Sequence, residues 1–167
     1  MENKMFNPDS KFPSVYIETT IPSLATSRPS RDMIIAGRQA VTLLFWESER
    51  HKYDLYVSQY VIDECLLGDA EAAGRRMSFL QGIAAIPKSE PISVLAKKYQ
   101  KLLDIPDRSV IDCFHLAVCV LAEMDYLLSW NCAHLGIHTY VKIRQYNDEH
   151  KLHTPVLLTP EALMEIN

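Results

Sequence analysis

Four oxygen-bearing residues, Glu18, Glu64, Asp112 and Asn131, stand where strands should end and helices begin. Glu18 closes Val15-Tyr16-Ile17, a β-branched and aromatic run typical of a buried strand. A strand this apolar would ordinarily finish in a turn former, so an acid at its tip needs an explanation. Asp112 falls in the first turn of an apolar helix, where the macrodipole favours an acid by ~0.3–1 kcal/mol in any case. Glu64 can be read as a solvated helix acid and Asn131 as a turn residue. Its neighbour Asp63 points about 100° away from Glu64 on a helix, and the spacing of Val61, Ile62 and Leu66 leaves open which of the two faces the strand ends.

Taken together, the acids imply a specific chemistry. Carboxylates gathered at one sheet edge repel by ~4 kcal/mol per pair at about 4 Å with an effective dielectric of about 20. Such a cluster persists when a cation neutralises it or when protons are taken up. All-oxygen ligation suits Mg²⁺ or Mn²⁺. An ion of that kind can polarise a phosphoryl oxygen and activate a water for in-line attack.

The elements that must bring these residues together alternate in type. The first strand ends at Glu18, and Pro22 is expected to stop any regular continuation. Ser30 is a plausible cap for a long helix from about Asp32 to His51, with Ile34, Ile35, Val41, Leu44 and Phe45 as its apolar side. Asp54 to Ser58 reads as the second strand, with Ser58 capping the helix that carries Glu64 and Gly68 ending it. A helix over about Ala70 to Gln81, a weak strand over Ile83 to Pro87 and a helix over Ser93 to Leu103 follow. Ser109 is placed to cap the helix Val110 to Met124. A strand over Asp125 to Trp130, a helix over about His134 to His150 and a strand over Pro155 to Thr159 complete the pattern. Thr159-Pro160 then starts a short last helix. Alternation of this kind predicts an α/β fold whose parallel sheet is covered on both faces. Ligands in such folds gather outside the carboxyl ends of the strands.

Composition sets the outer bounds. The 167 residues suit one domain, residues 14–167, preceded by a flexible arm over residues 1–13. A formal net charge of -4 argues against gripping nucleic acid by bulk positive charge; a bound cation would relieve that conflict. Cys65, Cys113, Cys119 and Cys132 show no metal-binding spacing and are expected to be reduced and mostly buried. Residues 1–12 lack the apolar core of a secretory signal, and no run approaches a membrane span. The expected location is therefore the cytoplasm, with no membrane partner.

The ordered segments Tyr16-Ile17-Glu18-Thr19-Thr20-Ile21-Pro22-Ser23, Val61-Ile62-Asp63-Glu64, Asp112-Cys113-Phe114-His115-Leu116-Ala117 and Asp125-Tyr126-Leu127-Leu128-Ser129-Trp130-Asn131 resemble the motifs of PIN domains. The nearest branch is similar to VapC-type toxin ribonucleases whose first motif reads E-T-T. The resemblance spans about Val15 to Thr159. It implies a three-layer α/β/α sandwich with a central, mainly parallel sheet. It also implies a Mg²⁺- or Mn²⁺-dependent endoribonuclease site, with Glu18, Glu64 and Asp112 as metal ligands and Asn131 in place of a fourth acid. Glu64 is then preferred to Asp63, and Thr19 matches a hydroxyl that supports the first acid. RNA as substrate, a small antitoxin protein as inhibitor and a homodimer follow from the same resemblance. Glu18 and Asn131 depart from the usual aspartates, the first by one methylene and the second by one charge.

Four further residues are candidates for substrate contact. His115, three positions after Asp112 on the same helix face, could bond a phosphate or be a satisfied core histidine. Arg28 and Arg31 lie beyond the first strand's tip, where they would meet phosphates or solvent. Trp130 could stack on a base or pack in the core. The competing reading is a PIN-like nucleic-acid or protein-binding module with weak or no nuclease activity. A small-molecule phosphatase is disfavoured because the five glycines form no phosphate-cradling loop.

Overall fold

A computed structural model describes residues 10–131 and 137–166. Five strands form one sheet: β1 (Ser14–Ile17), β2 (Asp54–Ser58), β3 (Ala84–Ile86), β4 (Tyr126–Leu128) and β5 (Val156–Leu158), in the order β3-β2-β1-β4-β5. Every pairing is parallel. Eight α-helices are described: α1 (Thr20–Thr26), α2 (Met33–Leu44), α3 (Gln59–Cys65), α4 (Ala70–Phe79), α5 (Glu90–Leu103), α6 (Ile111–Leu121), α7 (Ile137–His150) and α8 (Pro160–Glu165).

Successive side chains of a strand point to opposite faces, and Val15, Tyr16 and Ile17 are all fully buried. Both faces of the central strand are therefore covered, which makes the fold a three-layer α/β/α sandwich. The chain winds outward from β1 through β2 to β3, then returns to β1's other side for β4 and β5. The strand order thus reverses beside β1, and the crevice at the carboxyl ends of β1 and β4 is the natural ligand site. At the opposite end, Asp125 fixes the register. Its carboxylate accepts from the Ser14 N–H and hydroxyl, each at 2.8 Å, and its own N–H donates to Ser14 Oγ at 2.9 Å.

Several local expectations are corrected. Pro22 does not stop the chain after β1. It lies in the first turn of α1, where a missing N–H has no helical partner to lose. Asp32, not Ser30, caps α2, accepting from the N–H groups of Ile34 and Ile35; Ser30 Oγ instead accepts the Asp32 N–H. The helical path does run on from α2, but as a π turn over Phe45–Glu49 and a 3₁₀ turn over Arg50–Lys52. Its expected apolar side faces the core only in part, since Phe45 is fully buried while Ile34 is 71% and Leu44 54% exposed. Ser109 caps nothing; Asp107–Ser109 form a 3₁₀ turn that runs directly into α6. Helix α5 begins three residues before Ser93, at Glu90, with Pro91 in its first turn. Strand β4 stops at Leu128, which frees Ser129, Trp130 and Asn131 for the crevice. The caps at Ser58 and Thr159 are present as expected. Residues 1–9 of the proposed arm, Cys132 and the expected start of α7 near His134 lie outside the described residues. No helix among the described residues is long and apolar enough to cross a membrane.

Candidate active site

Glu18 leaves β1 at the switch point with its backbone still in the sheet, its N–H donating to Leu128 O at 3.0 Å. The residue is 7% exposed. Its Oε2 accepts from the Thr20 N–H at 3.0 Å, the Thr20 hydroxyl and the Ser129 hydroxyl at 2.8 Å. The Thr20 hydroxyl in turn accepts the Trp130 N–H at 2.9 Å, and Ser129 Oγ accepts the Asn131 N–H at 2.9 Å. The segments after β1 and β4 are thus laced together around one carboxylate oxygen. Asn131 extends the lacing, its Nδ2 donating to Asp112 Oδ1 at 3.0 Å.

Glu64 approaches from α3. Its Oε2 lies 2.8 Å from His115 Nε2 and accepts the Thr19 hydroxyl at 2.6 Å, which corrects the expectation that Thr19 supports Glu18; Thr20 takes that role. Burial pushes the Glu64 carboxyl upward, but its interactions with His115 and the Thr19 hydroxyl outweigh that and hold the group below the usual glutamate value. Asp63 faces elsewhere: its carboxylate is paired with Lys88 and accepts from Gln59 Nε2 at 2.8 Å. The ambiguity between the two neighbours is therefore resolved by geometry, with Glu64 on the crevice side.

Ligand atoms of Glu18, Glu64 and His115 all lie within 4.8 Å of one another. At that separation and an effective dielectric of about 20, two carboxylates repel by about 3–4 kcal/mol. Charge-assisted hydrogen bonds of ~1.5–3 kcal/mol each are enough to offset that repulsion and hold the two side chains close. All of those donors converge on the two Oε2 atoms, and among the described residues no protein donor meets either Oε1. Each acid thus has one oxygen held by protein donors and one without such a donor, and an oxygen donor set of this kind could hold a hard divalent ion.

Asp112 is 8% exposed in the first turn of α6 and stands outside that compact trio, joined to it through Asn131 and Ser129. His115, one turn deeper on the same helix, takes the inner place. It is 2% exposed, with both ring nitrogens within 2.8 Å of partners, Tyr16 on one side and Glu64 on the other. Of the two readings offered for His115, its surroundings match the satisfied core histidine, with both ring nitrogens engaged by protein partners.

Trp130 is half-buried. Its indole N–H donates to Thr42 Oγ1 at 2.8 Å, and the Arg38 guanidinium lies 5.4 Å from the ring centroid. Arg28 and Arg31 are exposed on the loop between α1 and α2, where neither has an acidic partner among the described residues. Arg38 was not singled out by sequence, although helical spacing from the Asp32 cap would have placed it on the same helix face as Thr42, four residues on. Thr20 and Ser129 were also missed. The signal for both was the one used for Glu18, a polar group at the end of an apolar strand.

The buried thiols of Cys65 and Cys113 are each pushed up to about 11, chiefly by burial. They stay protonated near neutrality and supply neither nucleophile nor thiolate ligand.

No family model matches this sequence, and no curated protein matches it. Among solved structures, the crystal structure of VapBC2 from Rickettsia felis bound to a DNA fragment from its promoter matches with a TM-score of 0.51. The identity is 13%, and the match covers 87% of this chain and 98% of that chain. The fold is PIN-like. At this identity the likeness carries the fold alone, and the chemistry rests on the residues described above.

Proposed function

We propose that this protein is a divalent-metal-dependent endoribonuclease that hydrolyses RNA phosphodiester bonds. The observation that carries the reading is the pair Glu18 and Glu64, each anchored through Oε2 with Oε1 open, at the switch point of a PIN-like sheet. Glu18, Glu64 and Asp112 would hold Mg²⁺ or Mn²⁺. When bound, such an ion supplies Lewis-acid polarisation of the phosphoryl group and a charge that lets an acidic protein accept a polyanion.

The chain's own residues do the rest. Thr20 and Ser129 lock the rotamer of Glu18, whose extra methylene relative to aspartate is accommodated by three donors on one oxygen. Thr19 fixes Glu64. Asn131 orients Asp112 and, being neutral, leaves the site one charge less negative than a fourth aspartate would. Arg28, Arg31 and Arg38 would contact RNA phosphates, and Trp130 would offer a face to a base.

By likeness to the VapBC2 complex, the partner would be a small antitoxin that covers this crevice. The exposed Met33, Ile34 and Leu44 of α2 supply apolar surface for such a partner or for a second copy in a homodimer. The deciding experiment is an RNA cleavage assay with and without EDTA, run beside Asp112→Asn. Cleavage abolished by both treatments supports the enzyme. Cleavage that survives both indicates a contaminant, and RNA binding without cleavage by the metal-loaded wild type indicates the binding module.

A further inference from the structure

The interior side of the site holds a hydrogen-bond chain that the proposed chemistry does not yet use. Ser58 Oγ is 2.6 Å from the Tyr16 hydroxyl, the Tyr16 hydroxyl is 2.8 Å from His115 Nδ1, and His115 Nε2 is 2.8 Å from Glu64 Oε2. Ser58 and Tyr16 are fully buried and His115 nearly so. Bulk solvent therefore does not reach these groups, and the protons are assigned by counting the protein partners.

Ser58 Oγ caps α3 by accepting the Val61 N–H at 3.4 Å, so its own proton goes to its one other partner, the Tyr16 oxygen. Tyr16 keeps its phenol proton in this buried position. Having accepted from Ser58, it donates that proton to His115 Nδ1. A ring nitrogen that accepts carries no proton, so an accepting Nδ1 places the imidazole's proton on Nε2, facing Glu64. Run in reverse, the chain would have Nδ1–H donate to Tyr16 and Tyr16 donate to Ser58. The Ser58 proton would then lack an acceptor among the described residues at a fully buried site, a loss that buried polar groups rarely tolerate.

We propose that His115 is a positioning residue: held in its Nε2–H form by Ser58 and Tyr16, it donates to Glu64 Oε2 and turns Oε1 toward the crevice. Its nitrogen is a second donor beside Thr19, not a metal ligand, although it lies within ligand distance of both acids. Donors behind a metal-binding group orient it and raise its affinity. This rests on the reading of Glu64 as part of a cation site; the tautomer itself does not.

Long-range ¹H–¹⁵N correlation of the imidazole in labelled, metal-free protein near pH 8 reads the tautomer directly. The expected signature is a protonated Nε2 and an unprotonated Nδ1, unchanged when Mg²⁺ is added. A proton on Nδ1, or loss of the Nε2 proton on adding Mg²⁺, overturns the proposal. Mn²⁺ affinity supplies the second readout: His115→Gln, whose amide can still donate, should stay within about threefold of wild type, whereas His115→Leu should weaken binding by roughly 10–100-fold. Glutamine as damaging as leucine, or leucine without effect, overturns it. Should His115→Leu fail to fold, the wild-type imidazole signal still decides. A wild type that binds no Mn²⁺ refutes the metal reading of the site, while the metal-free spectrum continues to test the hydrogen-bond chain separately.

Discussion

Thr20→Val removes one hydroxyl and keeps the side chain's shape, so it isolates what that oxygen contributes. The hydroxyl donates to Glu18 Oε2 and accepts the Trp130 N–H at 2.9 Å, joining residues 110 positions apart in sequence. A hydrogen bond to a charged acceptor is worth ~1.5–3 kcal/mol, and a buried N–H left without an acceptor costs ~1–3 kcal/mol. Two donors remain on Oε2, from the Thr20 N–H and Ser129, and the site is only partly buried, so the low end of each range applies. The sum is about 2.5 kcal/mol. With a urea slope near 2 kcal/mol/M, the unfolding midpoint should fall by about 1.2 M at unchanged slope. Thr20→Ser keeps the hydroxyl and should lose less than half as much. In a double-mutant cycle with Glu18→Gln, the coupling should exceed about 1 kcal/mol. A Thr20→Val midpoint equivalent to within about 0.5 kcal/mol of wild type, a size typical of inert surface changes, would refute the reasoning. So would a serine variant as unstable as the valine one.

Three other outcomes follow from the same geometry. The Glu64 carboxyl is held below its usual value, so it contributes stability that is complete above the unfolded glutamate pKa of about 4.3 and is lost as pH falls through the lower folded value. Urea midpoints measured from neutrality down to about pH 3 should therefore fall more steeply for wild type than for Glu64→Gln; parallel curves would contradict the assignment. Tyr99→Phe removes the buried hydroxyl that donates to Asn147 Oδ1 at 2.6 Å, leaving that oxygen unpaired in a fully buried residue, and should cost about 1–3 kcal/mol in chemical denaturation. Arg38→Ala should weaken RNA binding, with a salt dependence shallower by about 0.7 in log–log slope, the value expected for one lost contact to a single strand. Fluorescence anisotropy at several salt concentrations checks it.

The alternation of strands and helices was legible because the apolar runs are short, rich in β-branched or aromatic residues and separated by helical periods, as β1 (Ser-Val-Tyr-Ile) and β4 (Tyr-Leu-Leu) show. Helix α2 misled because an apolar stripe marks burial only when something covers it, and Ile34 and Leu44 are left to solvent. The cap expected at Ser109 failed because a 3₁₀ turn feeds α6 directly, leaving no break in the helical path for a cap to close. In the site, the strand-end rule placed Glu18, Glu64, Asp112 and Asn131 around one crevice. It could not order them by depth. His115 shares a face of α6 with Asp112, about one turn on, and both of its ring nitrogens are taken by partners from β1 and α3. The shared roles of Thr20, Ser129, Tyr16 and Ser58 exist only through contacts between distant segments, and no local pattern encodes them.

The central claim is that Glu18 and Glu64 form a preorganised divalent-cation site, and thermal unfolding against Mn²⁺ concentration tests it most directly. At about 100 times the dissociation constant, linkage stabilises the folded wild type by about 2.7 kcal/mol. For a domain of this size, that raises Tm by roughly 5–11 °C. Glu18→Gln and Glu64→Gln should each abolish the rise while remaining folded. A wild type that does not respond, or variants that respond equally, would contradict the account.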